Sequence, residues 1–287
     1  MSDQLKCKQY LLPLQPRIQL WQQIITPLYD QFVPAKIRNR RNVRQAKLSD
    51  IELLALLCYQ TELGITNQRR YYRFLTSLHC LDLPERSRFN RLSNRGWQLL
   101  QLMRTGLIKQ VAKNTRYTII DSLPLPVCQP VRNYRARIFR EQADLGYNAT
   151  KRLRYYGFKG SFEVTNQGLV VAYTITKASI HDSKMVTTLI NQASCPQILA
   201  DLGYLSQPLK QQLARQGINL WTPKRKNMRQ DPKINNKLLK RLRHQIETVF
   251  SSWNNLFDIE RNRARSLAGF QTRLEQCLFV DTIRKIN

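Results

Sequence analysis

Three carboxylate side chains hold positions suited to chemistry in a strongly basic chain. Asp121 ends the apolar run Tyr-Thr-Ile-Ile-Asp and Asp201 ends the run Gln-Ile-Leu-Ala-Asp, so each closes a predicted strand. The carboxyl ends of strands are where α/β sheets usually bind ligands. Glu247 lies in a predicted amphipathic helix, at the border of its apolar face. A helix border that faces the sheet would bring Glu247 to the strand ends.

Each carboxylate also has a simpler role open to it. An aspartate that closes a strand is often a turn residue, and Glu247 can pair with Arg243, four residues earlier in the helix. If the three converge instead, they offer the hard oxygen ligands that Mg²⁺ prefers. Two such ions about 4 Å apart activate the attacking oxygen and stabilise the leaving oxygen of a phosphoryl displacement. Because carboxylates alone repel phosphate, such a site would also need arginines around it.

The charge of the chain indicates a polyanionic partner. Its 287 residues include 47 Lys and Arg against 19 Asp and Glu, a formal net charge of +28. A hydrophobic content of 42% is enough for a packed core, so disorder does not explain this charge. We find no long segment with an apolar face beside a lysine face, as a membrane surface would require. Nucleic acid is therefore the favoured partner.

The cysteines and the N-terminus exclude several other classes of protein. The six cysteines are scattered, with no CxxC pair and no histidine at ligand spacing, which argues against a zinc module or a disulfide scaffold. The first residues lack the layout of a signal peptide, and the apolar runs are too short to span a bilayer. We therefore expect a cytoplasmic protein with no membrane partner.

The first part of the chain, to about residue 112, has a helical pattern. Ser49 and Glu52 form a capping box that predicts the start of one helix, and a second is predicted over residues 67–78. A third begins after Pro84, and its apolar residues keep the helical period as far as Val111.

Short β-type runs replace this pattern in the second part. Strands are predicted at 117–121, 158–165, 169–176, 197–201 and 218–221, and helices at 182–192, at 207–216 and from Leu238. Asn166-Gln167-Gly168 predicts a hairpin turn. His181 and Asp182 stand at the start of the predicted helix at 182–192. Two roles are open to them: they lie near the three carboxylates, or Asp182 caps the helix. The alternation predicts a sheet covered by helices.

Basic residues cluster in three places suited to DNA. A stripe at i, i+3 and i+7 in the third helix is formed by Arg88, Arg91 and Arg95. A second cluster, between the first two strands, consists of Arg132, Arg135, Arg137 and Arg140. A third, before the helix of Glu247, consists of Lys224, Arg225 and Lys226. The stripe is either the recognition helix of a helix-turn-helix or a solvated face, and the other clusters suit DNA strands near the carboxylates.

Four sequence blocks carry a family resemblance. They are Ile120-Asp121-Ser122-Leu123-Pro124-Leu125-Pro126-Val127-Cys128, Tyr155-Tyr156-Gly157-Phe158-Lys159-Gly160, Ala200-Asp201-Leu202-Gly203-Tyr204 and Ile246-Glu247-Thr248-Val249-Phe250-Ser251. A further block lies at residues 83–91, and the whole resemblance spans roughly residues 83 to 275. In this order the blocks resemble the DDE transposases of bacterial insertion sequences, and specifically the family numbered nine-eighty-two.

The resemblance implies an α+β or α/β chain with a helical N-terminal DNA-binding region at 1–112. An RNase H-like catalytic domain at 113–287 follows, a mixed sheet flanked by helices, with its first Asp on the first strand and its second on the fourth. Asp121, Asp201 and Glu247 would form the DDE triad, which binds two Mg²⁺ or Mn²⁺ ions, and Arg243 would contact a DNA phosphate. At two positions the chain departs from related groups, which often have a tyrosine and a lysine where Lys240 and Asn254 stand here. The roles attached to those two positions therefore do not transfer.

The implied activity is that of a transposase. It would bind the terminal inverted repeats of an element, hydrolyse phosphodiester bonds at the element ends and join the freed 3′-hydroxyl to target DNA. Because two ends are cut together, we expect a homodimer on DNA, in the cytoplasm at the bacterial nucleoid. Two alternatives stay open: a metal-dependent nuclease of the same fold without strand transfer, and a non-catalytic DNA-binding derivative.

Overall fold

The computed structural model describes residues 14–79, 81–148, 152–193, 195–204, 206–223 and 236–286. Its contacts divide the chain into two units, Met1–Leu107 with Ser266–Asn287, and Ile108–Arg265. This differs from the division at residue 112 that the sequence suggested, because the last helix packs within the first unit.

Helices make up the first unit. They are α1 (Leu14–Phe32), α2 (Ala35–Arg38), α3 (Asp50–Glu62), α4 (Gln68–Ser77), α5 (Arg86–Ser93), α6 (Gly96–Val111, whose last turn belongs to the second unit) and α10 (Leu267–Ile286). α3 and α10 contact each other, and both are buried along most of their length. A helix that is buried on all sides forms the core of its unit. Arg273 Nη1 of α10 donates to Thr61 Oγ1 of α3 at 3.1 Å across this contact.

The predicted start of α3 is confirmed, whereas the predicted third helix is divided in two. At the start, the Glu52 backbone N–H donates to Ser49 Oγ at 3.2 Å, and the Ser49 N–H donates to Glu52 Oε2 at 2.7 Å. The division falls between the end of α5 at Ser93 and the start of α6 at Gly96. A Cβ atom on Gly96 would lie 2.8 Å from Leu57 Cδ1, so glycine permits this close approach to α3.

A mixed six-stranded sheet forms the centre of the second unit. Its strands are β1 (Thr118–Pro126), β2 (Asp144–Asn148), β3 (Leu153–Thr165), β4 (Val170–Lys177), β5 (Gln197–Ala200) and β6 (Asn219–Trp221). The order is β2-β3-β1-β5-β6, and β4 also pairs with β3. β1 is antiparallel to β3 and parallel to β5. The predicted combination of helices with a mixed sheet is confirmed. β2 was not predicted, so the strand before Asp201 is the fifth and not the fourth.

Helices pack on the sheet of the second unit. They are α7 (Val186–Gln192), α8 (Gln207–Arg215) and α9 (Asn236–Phe257), with 3₁₀ turns at Pro130–Arg135, Asp182–Met185 and Leu202–Tyr204. Ile120 and Ile198 of the sheet form one apolar cluster with residues of α7 and α8. Phe162 packs against Phe250 and Trp253 of α9, with ring centroids 5.7 and 5.1 Å apart. Phe162 pairs directly with Asp121, so these two side chains lie on the same face of the sheet. The side chain of Ile120, the residue before Asp121, lies on the opposite face.

The predicted hairpin turn joins β3 to β4. Gly168 has a φ of +79°, a conformation that glycine adopts without strain. Thr165 Oγ1 accepts hydrogen bonds of 3.2 Å from the backbone N–H groups of Gln167 and Leu169, which fixes the turn. In the described part of the chain, no helix is both long enough and apolar enough to cross a membrane.

Candidate active site

The parallel pairing of β1 and β5 brings Asp121 and Asp201 side by side. Asp201 directly follows the end of β5, as predicted, whereas the predicted strand end at Asp121 is wrong, because β1 continues to Pro126 through its pairing with β3. The register pairs Ile119 with Leu199 and Ile120 with Ala200, and the two aspartates come next in their chains. All four paired residues are buried, so apolar burial fixes this register. The two carboxylates therefore leave adjacent strands at equivalent positions.

α9 brings Arg243 and Glu247 to these two aspartates. Ile246, Val249 and Trp253 form a buried stripe at helical spacing, which fixes the rotation of α9 against the sheet. On the same helix, Gln245 Oε1 accepts a 3.0 Å hydrogen bond from the Tyr117 hydroxyl, just before β1. Residues 243 and 247, one turn apart, consequently face the two aspartates.

The Arg243 guanidinium contacts all three carboxylates. Its Nη1 lies 3.3 Å from Asp121 Oδ2 and 3.8 Å from Asp201 Oδ2, and its Nη2 lies 2.9 Å from Glu247 Oε1. The simple i, i+4 pair between Arg243 and Glu247 thus exists, but it is one part of a cluster of four charges. We call Asp121, Asp201, Glu247 and Arg243 the carboxylate cluster.

Asp121 is the least exposed carboxylate of the cluster. Its side chain is 19% exposed, against 43% for Asp201 and 41% for Glu247. Burial raises the pKa of Asp121 to about 7, and the charges of Asp201 and Asp182 act in the same direction. The Ser122 backbone N–H, which donates to Asp121 Oδ1 at 2.8 Å, and Arg243 lower this pKa. Asp121 thus holds its proton more strongly than an exposed aspartate, mainly because burial disfavours its charged form.

Asp182 is a fourth acidic residue near the cluster. It forms an ion pair with Lys159, whose Nζ lies 3.0 Å from Asp182 Oδ1. Asp182 was one candidate for the N-cap of this helical segment, but the N-cap is His181. Its Nδ1 accepts a hydrogen bond from the Ser183 backbone N–H at 3.3 Å. Burial, then the charges of Asp182 and Asp121, raise the pKa of the Tyr204 phenol well above its usual range.

Sequence reasoning did not assign Lys159 or the contact that His244 makes. His244 Nδ1 lies 2.6 Å from Glu247 Oε2, so Glu247 is held from two sides. The i, i+3 spacing was a usable signal for that contact. No sequence spacing indicates the ion pair between Lys159 and Asp182. Lys159 lies in β3 and Asp182 in a later 3₁₀ turn, so only the folded structure brings them together.

The donor set of the cluster suits a hard divalent cation, although its arrangement does not form a complete metal site. Three carboxylates supply the oxygen ligands that Mg²⁺ or Mn²⁺ prefers. Among the described residues, no group of three or more His, Cys, Asp or Glu side chains could hold a metal ion as it stands. Arg243 supplies the positive charge between the carboxylates, so a bound ion would replace this guanidinium.

The arginines of the first two predicted DNA-binding clusters are exposed, one cluster on each unit. Arg88 and Arg91 are exposed on α5, and Arg95 is exposed in the turn before α6, so the three do not share one helix. Eight residues, 78–85, join α4 to α5, more than the three or four of a usual helix-turn-helix.

The other two predicted DNA-binding clusters belong to the second unit. The segment between β1 and β2 carries four exposed arginines, Arg132, Arg135, Arg137 and Arg140. The third cluster, Lys224, Arg225 and Lys226, lies outside the described residues.

Comparisons with known proteins identify the family of the chain. Among curated proteins, none matches it. Among solved structures, a cryo-electron microscopy structure of a piggyBac transposase synaptic complex with hairpin DNA is similar, with a TM-score of 0.43 and 12% sequence identity, over 91% of this chain and 75% of that chain. The model of the transposase DDE domain family matches residues 111–267, more than half of the chain. This stretch contains all four members of the carboxylate cluster, and the chain belongs to the family of transposases with a DDE domain.

Proposed function

We propose that the protein is the transposase of a bacterial insertion sequence, of the kind found in the family numbered nine-eighty-two. The single observation that carries this proposal is the contact of one guanidinium, Arg243, with Asp121, Asp201 and Glu247. Residues from two adjacent strands and a later helix converge there, as the RNase H-like arrangement of such enzymes requires. Asp121, Asp201 and Glu247 are the catalytic triad in this proposal.

The triad would hold two Mg²⁺ or Mn²⁺ ions. When bound, such ions lower the pKa of an attacking oxygen and stabilise the leaving oxygen of the phosphodiester. The chain's own contribution is to orient the carboxylates: the β1–β5 register places the two aspartates, and the apolar stripe of α9 places Glu247. With ions bound, Arg243 would be free to contact a phosphate oxygen of the DNA, a role for which a guanidinium is well suited.

Basic residues of both units support binding of double-stranded DNA. Arg88, Arg91 and Arg95 are suited to the terminal inverted repeats, whereas Arg132, Arg135, Arg137, Arg140, Lys224, Arg225, Lys226 and Arg243 are suited to the cleaved and target strands. Because phosphate contacts release counterions, the affinity should fall steeply with salt. We expect a homodimer on DNA, since two element ends are processed together, acting at the nucleoid in the cytoplasm.

The deciding experiment distinguishes strand transfer from hydrolysis alone. A donor plasmid carries the gene with its flanking DNA, and the purified protein is incubated with this plasmid, a target plasmid and Mg²⁺. Donor ends joined to target DNA, detected by sequencing across the junctions, are the expected product. Cut ends without junctions would identify a nuclease of the same fold, and uncut donor that is still bound would identify a non-catalytic DNA-binding derivative.

A further inference from the structure

A cavity of about 940 Å³ lies in the second unit, away from the carboxylate cluster. Two segments wall it, residues 127–138 after β1 and residues 263–265 after α9. Five arginines line it, namely Arg132, Arg135, Arg137, Arg263 and Arg265. Its lining contains no Asp or Glu, and none of the five arginines forms an ion pair with a described residue. Five positive charges around one cavity, none of them paired with a described acidic residue, favour an anionic ligand of several charges.

The wall that follows β1 is fixed by buried hydrogen bonds. Asn133 is buried, its Nδ2 donates to the Arg154 carbonyl at 3.0 Å, and its Oδ1 accepts from the Tyr156 N–H at 3.2 Å. The Tyr156 hydroxyl in turn donates to the carbonyls of Ile138 and Phe139 at 3.0 and 3.2 Å. Both contacts tie the arginine segment to β3, so this wall is formed before any ligand binds.

The opposite wall is fixed in a similar way. Asn262 is buried, and its Oδ1 accepts from the Ala264 N–H at 3.1 Å, which sets the backbone between Arg263 and Arg265. One turn earlier, the Arg261 N–H donates to the Asp258 carbonyl at 2.9 Å. The arginines of both walls are therefore carried on backbone that buried asparagines hold in place.

Shape and chemistry together select the ligand. The cavity is at the upper end of the size range of small-molecule sites, and Val127, Val131 and Ile138 add apolar surface between the arginines. A duplex backbone is convex and offers phosphates without an apolar group to insert. An unpaired nucleotide offers phosphates and also an apolar group that can enter the cavity. Its base can leave the stack and insert, while its phosphates stay at the rim.

We propose that this arginine cavity binds an unpaired nucleotide of the DNA substrate, with the base against the apolar surface and the flanking phosphates on the arginines. The proposal rests on the proposed function for the identity of the substrate. Val127, the first residue of the cavity along the chain, follows the end of β1 and lies six residues beyond Asp121. At about 3.4 Å per residue, the start of the cavity lies roughly 20 Å along the chain from Asp121. At a similar spacing per nucleotide along one DNA strand, the captured nucleotide would lie about six nucleotides from the bond that is cut.

The test compares two DNA duplexes of the same sequence, one blunt and one with a short 3′ single-stranded overhang. Binding is measured by fluorescence anisotropy in EDTA, so that no cleavage occurs. We expect the wild-type protein to bind the overhang duplex about tenfold more tightly, as contacts to one unstacked base provide. The double variant Arg263→Ala with Arg265→Ala should bind the two duplexes equally.

The matched control removes two exposed arginines elsewhere, Arg215→Ala with Arg284→Ala, and should keep the tenfold ratio. Circular dichroism melting verifies that both double variants are folded. Equal binding of the two duplexes by the wild type, or an unchanged ratio in the cavity variant, overturns the proposal. If the ratio behaves as expected while the Asp121→Asn variant still cuts DNA, the cavity assignment stands and the proposed catalytic triad fails.

Discussion

Asp121 and Asp201 each follow a residue of the last register pair between two parallel strands, Ile120 opposite Ala200. Their carboxylates therefore emerge side by side, and both contact the same nitrogen, Arg243 Nη1, at 3.3 and 3.8 Å. The repulsion between two neighbouring carboxylates is offset when a cation lies between them. In this structure the cation is an arginine of the same helix that carries Glu247.

Replacing Arg243 should make the cluster more responsive to divalent ions. In Arg243→Gln the three carboxylates lose their shared positive charge, so the melting temperature without divalent ions should fall. Mn²⁺ should then raise it by more than in the wild type, because the ion no longer competes with a guanidinium. At one hundred times the Kd, binding of one ion stabilises a protein by about 2.7 kcal/mol. Differential scanning fluorimetry with EDTA and with Mn²⁺ measures both effects.

The control for this experiment is Arg261→Gln. Arg261 pairs with Asp258 at 3.7 Å and is 73% exposed, so its loss should leave the Mn²⁺ response unchanged. An equal Mn²⁺ response in the Arg243 variant and the wild type would show that the guanidinium does not occupy the place of an ion.

Glu163 should make the stability of the protein fall as pH rises. This residue of β3 is fully buried, and Glu163 Oε1 accepts a 2.7 Å hydrogen bond from Thr118 Oγ1. Burial raises the pKa of Glu163 to about 7, above the value of 4.5 for an exposed glutamate. The folded state therefore binds the proton more tightly than the unfolded state, and stability is lost between pH 4.5 and 7. Above this window the loss is on the order of 3 kcal/mol.

Glu163→Gln tests this dependence, because glutamine is neutral throughout the window. The variant should melt at a higher temperature than the wild type at pH 8 and at nearly the same temperature at pH 4.5. The exposed substitution Glu141→Gln serves as control and should show no such pH-dependent gain. A constant difference between Glu163→Gln and the wild type across this range would contradict the prediction.

Removing one partner of the buried ion pair of the first unit should lower the free energy of unfolding strongly. Replacing both partners by apolar residues should lower it much less. Arg104 Nε lies 2.9 Å from Glu275 Oε2, with side chains 1% and 0% exposed. Glu275→Gln leaves a buried guanidinium charge without its counter-ion and should cost about 3–5 kcal/mol of unfolding free energy. The pair of changes Arg104→Met with Glu275→Leu should cost much less, since no charge stays buried. Urea unfolding measures both values.

A surface pair provides the comparison for this measurement. Arg38→Ala removes an ion pair with Asp30, whose side chain is 59% exposed, and should cost at most about 1 kcal/mol. The account of the buried pair is wrong if Glu275→Gln and the apolar double variant lose the same free energy.

Local patterns predicted much of the fold. The capping box at Ser49 marked the start of α3, and Gly168 marked the β3–β4 turn, because both signals act over a few residues. The strands before Asp121 and Asp201 were visible as apolar runs, since both faces of the central sheet are buried. These elements need only their own sequence to be recognised.

Features that depend on distant partners could not be predicted. β2, Asp144–Asn148, contains Asp, Gly and Asn, which are poor strand formers, and it forms by pairing with β3. The division between α5 and α6 was hidden because the apolar period continues through it from Leu92 to Leu99. α10 packs with helices about two hundred residues earlier in the chain.

The same limit applies to the candidate site. The positions of Asp121, Asp201 and Glu247 could be proposed from predicted strand ends and a helix border, although β1 continues past Asp121 to Pro126 because it pairs with β3. Arg243 had two roles open to it from the sequence, a local pair with Glu247 and a phosphate contact. Its contact with Asp121 joins residues 122 positions apart, and only the packing of α9 on the sheet brings it about.

The most direct test of the central claim is DNA cleavage by Asp121→Asn. Asparagine keeps the size of the side chain and removes the charge that a metal ion would bind. With Mg²⁺ and DNA carrying an element end, the variant should lose at least about a hundredfold in cleavage rate, while its DNA affinity stays within about twofold of the wild type. Cleavage by the variant at the wild-type rate, with binding intact, would contradict the assignment of these carboxylates as the catalytic triad.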